Sequence, residues 1–201
     1  LLVGLMRTMH AHHSMVFTNT RAAADRVGRT LNANGIPAAV ISGRVRQEQR
    51  QKLLKRFHDG DVPVLVATDV AARGLHIPDV THVFNFDLPQ DPEDYVHRIG
   101  RTARAGASGD AISFACENFV YSLPEIEAYI GHKIPVEPVP EGFVAKLKPP
   151  VKIRRPPRQD AGFSPGVPWS STGAVRKRPP WRIAEVATGR PAGSGDGPVS
   201  R

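Results

Sequence analysis

The chain has 201 residues, 40% of them hydrophobic and 6% aromatic, which suits one soluble globular domain with a modest extension. Its net charge of +8 is uneven: residues 148–201 hold 11 of the 27 Lys+Arg and 3 of the 19 Asp+Glu, so residues 1–147 are net neutral. One cysteine, Cys116, excludes an internal disulfide and fits a reducing compartment, and no run approaches the roughly 20 apolar residues that span a bilayer. The opening Leu1-Leu2-Val3 has neither an initiator Met nor a signal-peptide charge pattern, so further chain is expected upstream.

Short apolar runs at 15–18, 38–41, 64–67, 82–86 and 111–115 read as strands that are apolar on both faces. Residues 22–31 and 47–57 carry apolar positions at helical intervals. Thr20 is placed to cap the first of these helices, and Asn34-Gly35 and His58-Asp59-Gly60 to stop the two. Residues 91–99 and 119–130 read as further helices, with a break or kink near Pro124. Strand and helix alternate, which implies a parallel sheet with helices on both faces. Right-handed crossovers bring the loops after the strands to one edge, where open α/β sheets bind ligands. The tail, residues 148–201, holds 10 of the 19 prolines and shows no apolar period. It is expected to be disordered and to attract phosphate polymers without sequence preference, or else to act as a solvated linker. Trp169 and Trp181 within it suit either base stacking or a spacer.

The chemistry-bearing segments fall at that edge. In His97-Arg98-Ile99-Gly100-Arg101-Thr102-Ala103-Arg104-Ala105-Gly106 the arginines are three apart, so one helical turn would point all three to one side. Guanidiniums so grouped call for phosphate opposite them, or for acids of the same fold such as Asp69, Glu93 or Asp94. Thr68 and Asp69 emerge from the most apolar strand; Asp69 is suited either to orient an arginine or to cap a helix. Asn19-Thr20-Arg21 again ends a strand and opens a helix, and Ser42-Gly43 with Gln47 to Arg50 repeats the arrangement. No spacing suggests a metal site.

Taken together, ATDVAARGL, HRIGRTARAG, the VFTNTR loop and SGRVRQEQR resemble, in order and spacing over roughly residues 1–140, the C-terminal RecA-like domain of DEAD-box ATP-dependent RNA helicases. GLHIPDVTHVFNFDLP followed by SLPEIEAYIGHKIPV is similar to the bacterial RhlB type. The resemblance implies an α/β RecA-like domain over residues 1–147 and a basic tail over 148–201. It implies half of an RNA-dependent ATPase that unwinds short duplexes in RNA degradation, with ATP and Mg²⁺ bound chiefly by an N-terminal RecA-like domain. Neither G-x-x-x-x-G-K-[ST] nor Asp-Glu-Ala-Asp occurs here, so the chain alone is expected to be inactive. By the same resemblance Arg101 and Arg104 are arginine fingers, and Gly74, His76, His97 and Arg98 serve ATP binding and coupling to the partner domain. Asn19, Thr20, Gly43, Gln47, Arg50, Thr68 and Asp69 line the RNA. Implied partners are RNA, the N-terminal domain and the RNase E degradosome scaffold, in the cytoplasm and away from membranes. Two departures stand out: His76 replaces the family's ribose-binding Asp, and Arg44 stands where Asp is common. The rival readings are a non-catalytic RNA- or protein-docking module and a DNA helicase; His97, where DNA enzymes usually have Gln, favours RNA.

Overall fold

The computed structural model describes residues 1–43, 45–75, 77, 80–102, 109–139, 143–149 and 186–189. Arg44, His76 and Arg104 lie outside them, as does the tail apart from Lys148, Pro149 and Val186–Gly189.

Five parallel strands form the centre: β1 (Ser14–Phe17), β2 (Ala38–Ile41), β3 (Val64–Ala67), β4 (His82–Asn85) and β5 (Asp110–Phe114), in the order β2-β3-β1-β4-β5. Each expected strand is present within one residue of its expected bounds. Burial on both faces explains their continuous apolar character. Val16, Val64, Val66, Phe84 and Ile112 point to one face, under α1 (Leu2–Thr8) and α2 (Arg21–Ala33). Met15, Phe17, Leu65, Ala67 and Val83 point to the other, against α3 (Gln47–His58) and α4 (Asp69–Ala72). α5 (Pro92–Ile99) and α6 (Leu123–Ile130) pack around a third cluster built on Tyr95, Leu88 and Ile126.

Local chemistry sets the helix ends. Thr20 accepts a hydrogen bond from the Ala23 amide at 3.1 Å, and Gly35 and Gly60 take φ of +78° and +82° just past α2 and α3. At Gly28 a Cβ would stand 2.4 Å from Val40 Cγ2, so only glycine lets α2 lie this close to β2. A 3-10 turn at Val120–Ser122 precedes α6, with Pro124 in the first turn, which places the expected break before Leu123.

Two helices went unread in the sequence. α1 has no side-chain cap, and its Leu2, Val3, Leu5 and Met6 form an apolar run too short to show a period. α4 is a single turn. Within the tail expected to lack regular structure, the described residues include β7 (Val186–Gly189). That strand pairs antiparallel with β5 and with the short β6 (Val136–Glu137), covering backbone groups of β5 that would otherwise form an open edge. Lys148 is also tied down, exchanging two backbone hydrogen bonds with the Asn34 side chain at 2.9 and 3.2 Å.

The connection from β1 runs over β3 to β2, whereas that from β4 runs the other way to β5. The chain therefore changes direction between neighbouring β1 and β4, which opens a crevice beyond their C-terminal ends.

Candidate nucleotide and RNA site

At that crevice the last turn of α5 delivers Arg98. α5 starts well: Asp91 accepts from the Glu93 amide at 2.9 Å, Pro92 opens the first turn, and Glu93 and Asp94 meet the positive end of the helix dipole. His97 and Arg98 meet the negative end. Arg98 then turns inward and is 1% exposed.

All five N–H groups of Arg98 are spent inside the fold. Nε and Nη2 donate to the two oxygens of Asp69, both at 2.7 Å. Nη2 also donates to Asn19 Oδ1 at 2.8 Å, and Nη1 donates to the Asp87 carbonyl at 2.7 Å and to Asn85 Oδ1 at 3.4 Å. The guanidinium carbon stands 5.3 Å from the centre of the Phe17 ring. One side chain thereby ties together the ends of β1, β3 and β4, and it has no donor left for a ligand.

One expectation needs correction here. α5 ends at Ile99 and Gly100 caps it, so Arg98 and Arg101 do not share a helical face. Arg98 faces the core, paired with Asp69, an acid of its own fold. Asp69 orients this arginine, and the residue before α4 is Thr68. Asn19 is equally committed: Nδ2 donates to the Leu88 carbonyl at 2.7 Å and its amide N–H to Asp87 Oδ2 at 3.0 Å. Asp69 and Asn19, grouped by resemblance with the RNA-facing residues, direct their side chains to Arg98.

Asp87, Asn85 and Arg73 complete this region and were missed in the sequence. The signal was present in Phe84-Asn85-Phe86-Asp87, where polar residues alternate with phenylalanines at the end of a buried strand. Burial pushes the Asp87 carboxyl above its ordinary pKa; the Asn19 amide and the Arg98 and Arg26 charges only partly oppose this.

Outside the clamp, the crevice presents cations. After Gly100 the chain turns, and the Thr102 hydroxyl donates to the Val80 carbonyl at 2.6 Å while the Val80 amide donates to the Arg101 carbonyl at 3.0 Å. Arg101 is thereby fixed beside exposed His97, and both line the crevice with Arg73. Arg73 donates to Asp94 at 2.5 Å across its mouth. Gly74 follows Arg73 with φ +71°, a conformation that side-chain-bearing residues rarely adopt, and reverses the chain there.

The other RNA-grouped residues sit along the same sheet edge. Thr20 is exposed, and with its oxygen accepting from Ala23 its hydroxyl hydrogen can still be donated. Gly43 and Gln47 are exposed after β2, Thr68 is buried after β3, and Arg50 is half-buried on α3. Arg50 Nε is buried without a hydrogen-bond partner. Among the described residues, no group of three or more His, Cys, Asp or Glu comes together to hold a metal, and no helix is long and apolar enough to cross a membrane.

Comparison with known proteins agrees with this arrangement. The helicase conserved C-terminal domain family matches residues 1–106. The ATP-dependent RNA helicase RhlB of Xanthomonas axonopodis pv. citri is 58% identical over 147 residues, 73% of this chain and 26% of that protein. RhlB of Actinobacillus succinogenes is 52% identical over 156 residues, 77% of this chain and 38% of that protein. The chain thus spans about a quarter to two fifths of the length of these relatives. In structure it is similar to the E. coli DEAD-box protein SrmB, solved bound to the regulator of ribonuclease activity A, with TM-score 0.63 and 44% identity. That match covers 66% of this chain and 78% of SrmB as solved. With a RecA-like parallel sheet and these relatives, the chain belongs to the helicase conserved C-terminal domain family, as a DEAD-box RNA helicase domain similar to the RhlB type.

Proposed function

We propose that this domain is the C-terminal half of an ATP-dependent RNA helicase that separates short RNA duplexes in RNA degradation. It works in the cytoplasm against an N-terminal RecA-like domain. The observation that carries the reading is the division of labour among basic side chains at one sheet edge. Arg98 is consumed in holding the loops together, whereas Arg101 and His97 face the crevice and Arg50 keeps a buried orphan donor. ATP supplies the free energy of phosphoryl transfer, and the partner domain holds its Mg²⁺ and most of its phosphates. This chain contributes Arg101, and by family resemblance Arg104, to neutralise charge developing on the transferred phosphoryl group. Thr20, Gly43, Gln47, Arg50 and Thr68 bind the RNA backbone, so binding is largely independent of sequence.

The test is RNA-stimulated ATPase in the complete two-domain protein. Arg101→Ala lowers kcat by about 10³-fold or more while ATP affinity changes little, as arginine fingers do where measured. A rise in KM with kcat intact would make Arg101 a ground-state binder and overturn the finger assignment. The present chain alone should show no turnover with RNA.

A second role is compatible with the first. SrmB was solved with a protein regulator bound, and a comparable docking function here, toward an RNase E scaffold, is tested by co-purification of the scaffold with this domain.

A further inference from the structure

α4 and α5 are joined by two ion pairs of reversed sense. α4 supplies Asp69, and Arg73 follows it four residues later; α5 supplies Asp94 and, four residues later, Arg98. The inner pair, Asp69 with Arg98, is bidentate, and its arginine is fully buried. In the outer pair the Arg73 side chain is 62% exposed and that of Asp94 17% exposed. The two pairs bound the crevice that Arg101 and His97 also line, and its volume is about 20 Å³. The opening is narrow, and the outer pair forms one of its walls.

We propose that Arg73 is a phosphate ligand of this crevice held in reserve by Asp94: the arriving phosphate displaces the carboxylate, and the freed guanidinium joins Arg101 and His97. The inference rests on the nucleotide-site reading given above. The exchange is energetically cheap, because a solvent-exposed ion pair is stabilised by little. A phosphate oxygen offers Arg73 the same forked, charge-assisted contact with more negative charge behind it. Arg73 already lines this crevice, and its amide is tied to the Asp69 carbonyl at 2.9 Å, so the exchange asks for a change of its side chain.

The alternative is that the outer pair only struts α4 against α5. Steady-state RNA-stimulated ATPase of the complete protein separates the two, using Arg73→Ala, Arg73→Lys, Asp94→Asn and the double variant Arg73→Ala/Asp94→Asn, with the melting transition of each measured beside the parent's. Reserve predicts that Asp94→Asn lowers the KM for ATP several-fold and that Arg73→Ala lowers kcat/KM about ten-fold, the size expected for one charge-assisted hydrogen bond. Arg73→Lys keeps the charge without the fork and falls between. The double variant matches Arg73→Ala, since Asp94 has nothing left to restrain. A strut predicts that Asp94→Asn and Arg73→Ala shift the melting transition alike, change kcat/KM less than about two-fold and add in the double variant; that result overturns the proposal. Should Arg73→Ala fail to fold, Arg73→Lys against Asp94→Asn still decides, because only reserve moves their KM values in opposite directions. If Arg101→Ala abolishes turnover while the Arg73 variants do not alter it, this inference fails and the function stands. If the complete protein shows no RNA-stimulated turnover, the function reading itself fails.

Discussion

Asp69 accepts two parallel hydrogen bonds from Arg98, Nε to Oδ1 and Nη2 to Oδ2, both at 2.7 Å. The pair joins the loop after β3 to the last turn of α5, and its arginine is fully buried. Removing one partner would leave a guanidinium in a dry site with two donors unmet. Asp69→Ala is therefore expected to cost about 3–5 kcal/mol of folding stability, read by urea denaturation. A loss below about 1 kcal/mol would mean that water reaches Arg98 and that the clamp is not what holds the three strand ends together.

Asp87 tests the same clamp from its other side. Burial raises its folded-state pKa, so the ionised form is disfavoured in the native state. Stability is unaffected below the ordinary value of 3.8, falls as pH rises from there through the raised folded value, and stays reduced above it. Asp87→Asn keeps an oxygen for the Asn19 amide without the charge. The variant should be at least as stable as the parent at neutral pH, and its advantage should vanish on acidification below about pH 4. A variant less stable at pH 7 than at pH 3, relative to the parent, would show that the attraction of Arg98 and Arg26 outweighs burial.

Much of this architecture is legible in the sequence because burial and turn chemistry agree there. The strands run apolar on both faces, and Thr20, Gly35 and Gly60 mark helix ends by mechanisms that act locally. The inward turn of Arg98 is not legible that way. Spacing of three predicts a shared helical face only while the helix lasts, and α5 stops at Ile99. What draws Arg98 inward is a set of acceptors from residues 19, 69, 85 and 87, far apart in sequence, that meet only once β1, β3 and β4 lie side by side. Arg73 and Asp94 are hidden for the same reason, since their pairing depends on how α4 lies against α5.

The opposite edge of the sheet has a titration of its own. His13 stacks on Phe57, ring centres 4.3 Å apart and planes 13° from parallel, and holds φ at +58°. Burial first, and the nearby His58 second, lower its pKa from the ordinary 6.5. A lowered folded-state value means that stability is complete above the unfolded pKa and is lost as pH falls through that value toward the folded one. His13→Asn tolerates the positive φ and does not titrate. It should lose about 0.5–1.5 kcal/mol of stacking at pH 7.5 but show a shallower fall in melting temperature between pH 7 and 5. Parallel profiles for variant and parent would place the acid sensitivity elsewhere, with His82 at the start of β4 the next to test, since burial lowers its pKa too.

The last prediction separates the tail from the groove as the seat of RNA affinity. Residues 1–147 are net neutral, so long-range attraction of a polyanion falls to the basic tail. Truncation after Pro149 keeps both Asn34–Lys148 hydrogen bonds and removes residues carrying a net +7. For single strands each lost phosphate contact flattens the slope of log K against log[salt] by about 0.7. If the tail holds even half of its excess cations against RNA, the slope should therefore fall by about 2 or more, measured by anisotropy of a labelled single strand across a salt titration. Arg50→Ala, by contrast, removes one cation at the groove and should change the slope by about one contact while weakening binding at every salt concentration. β7 also leaves with the truncation and uncovers the edge of β5, so the melting transition of the shortened protein must be compared with the parent. A shortened protein that melts as before and keeps the full salt slope would put the phosphate contacts on the folded domain and reduce the tail to a spacer.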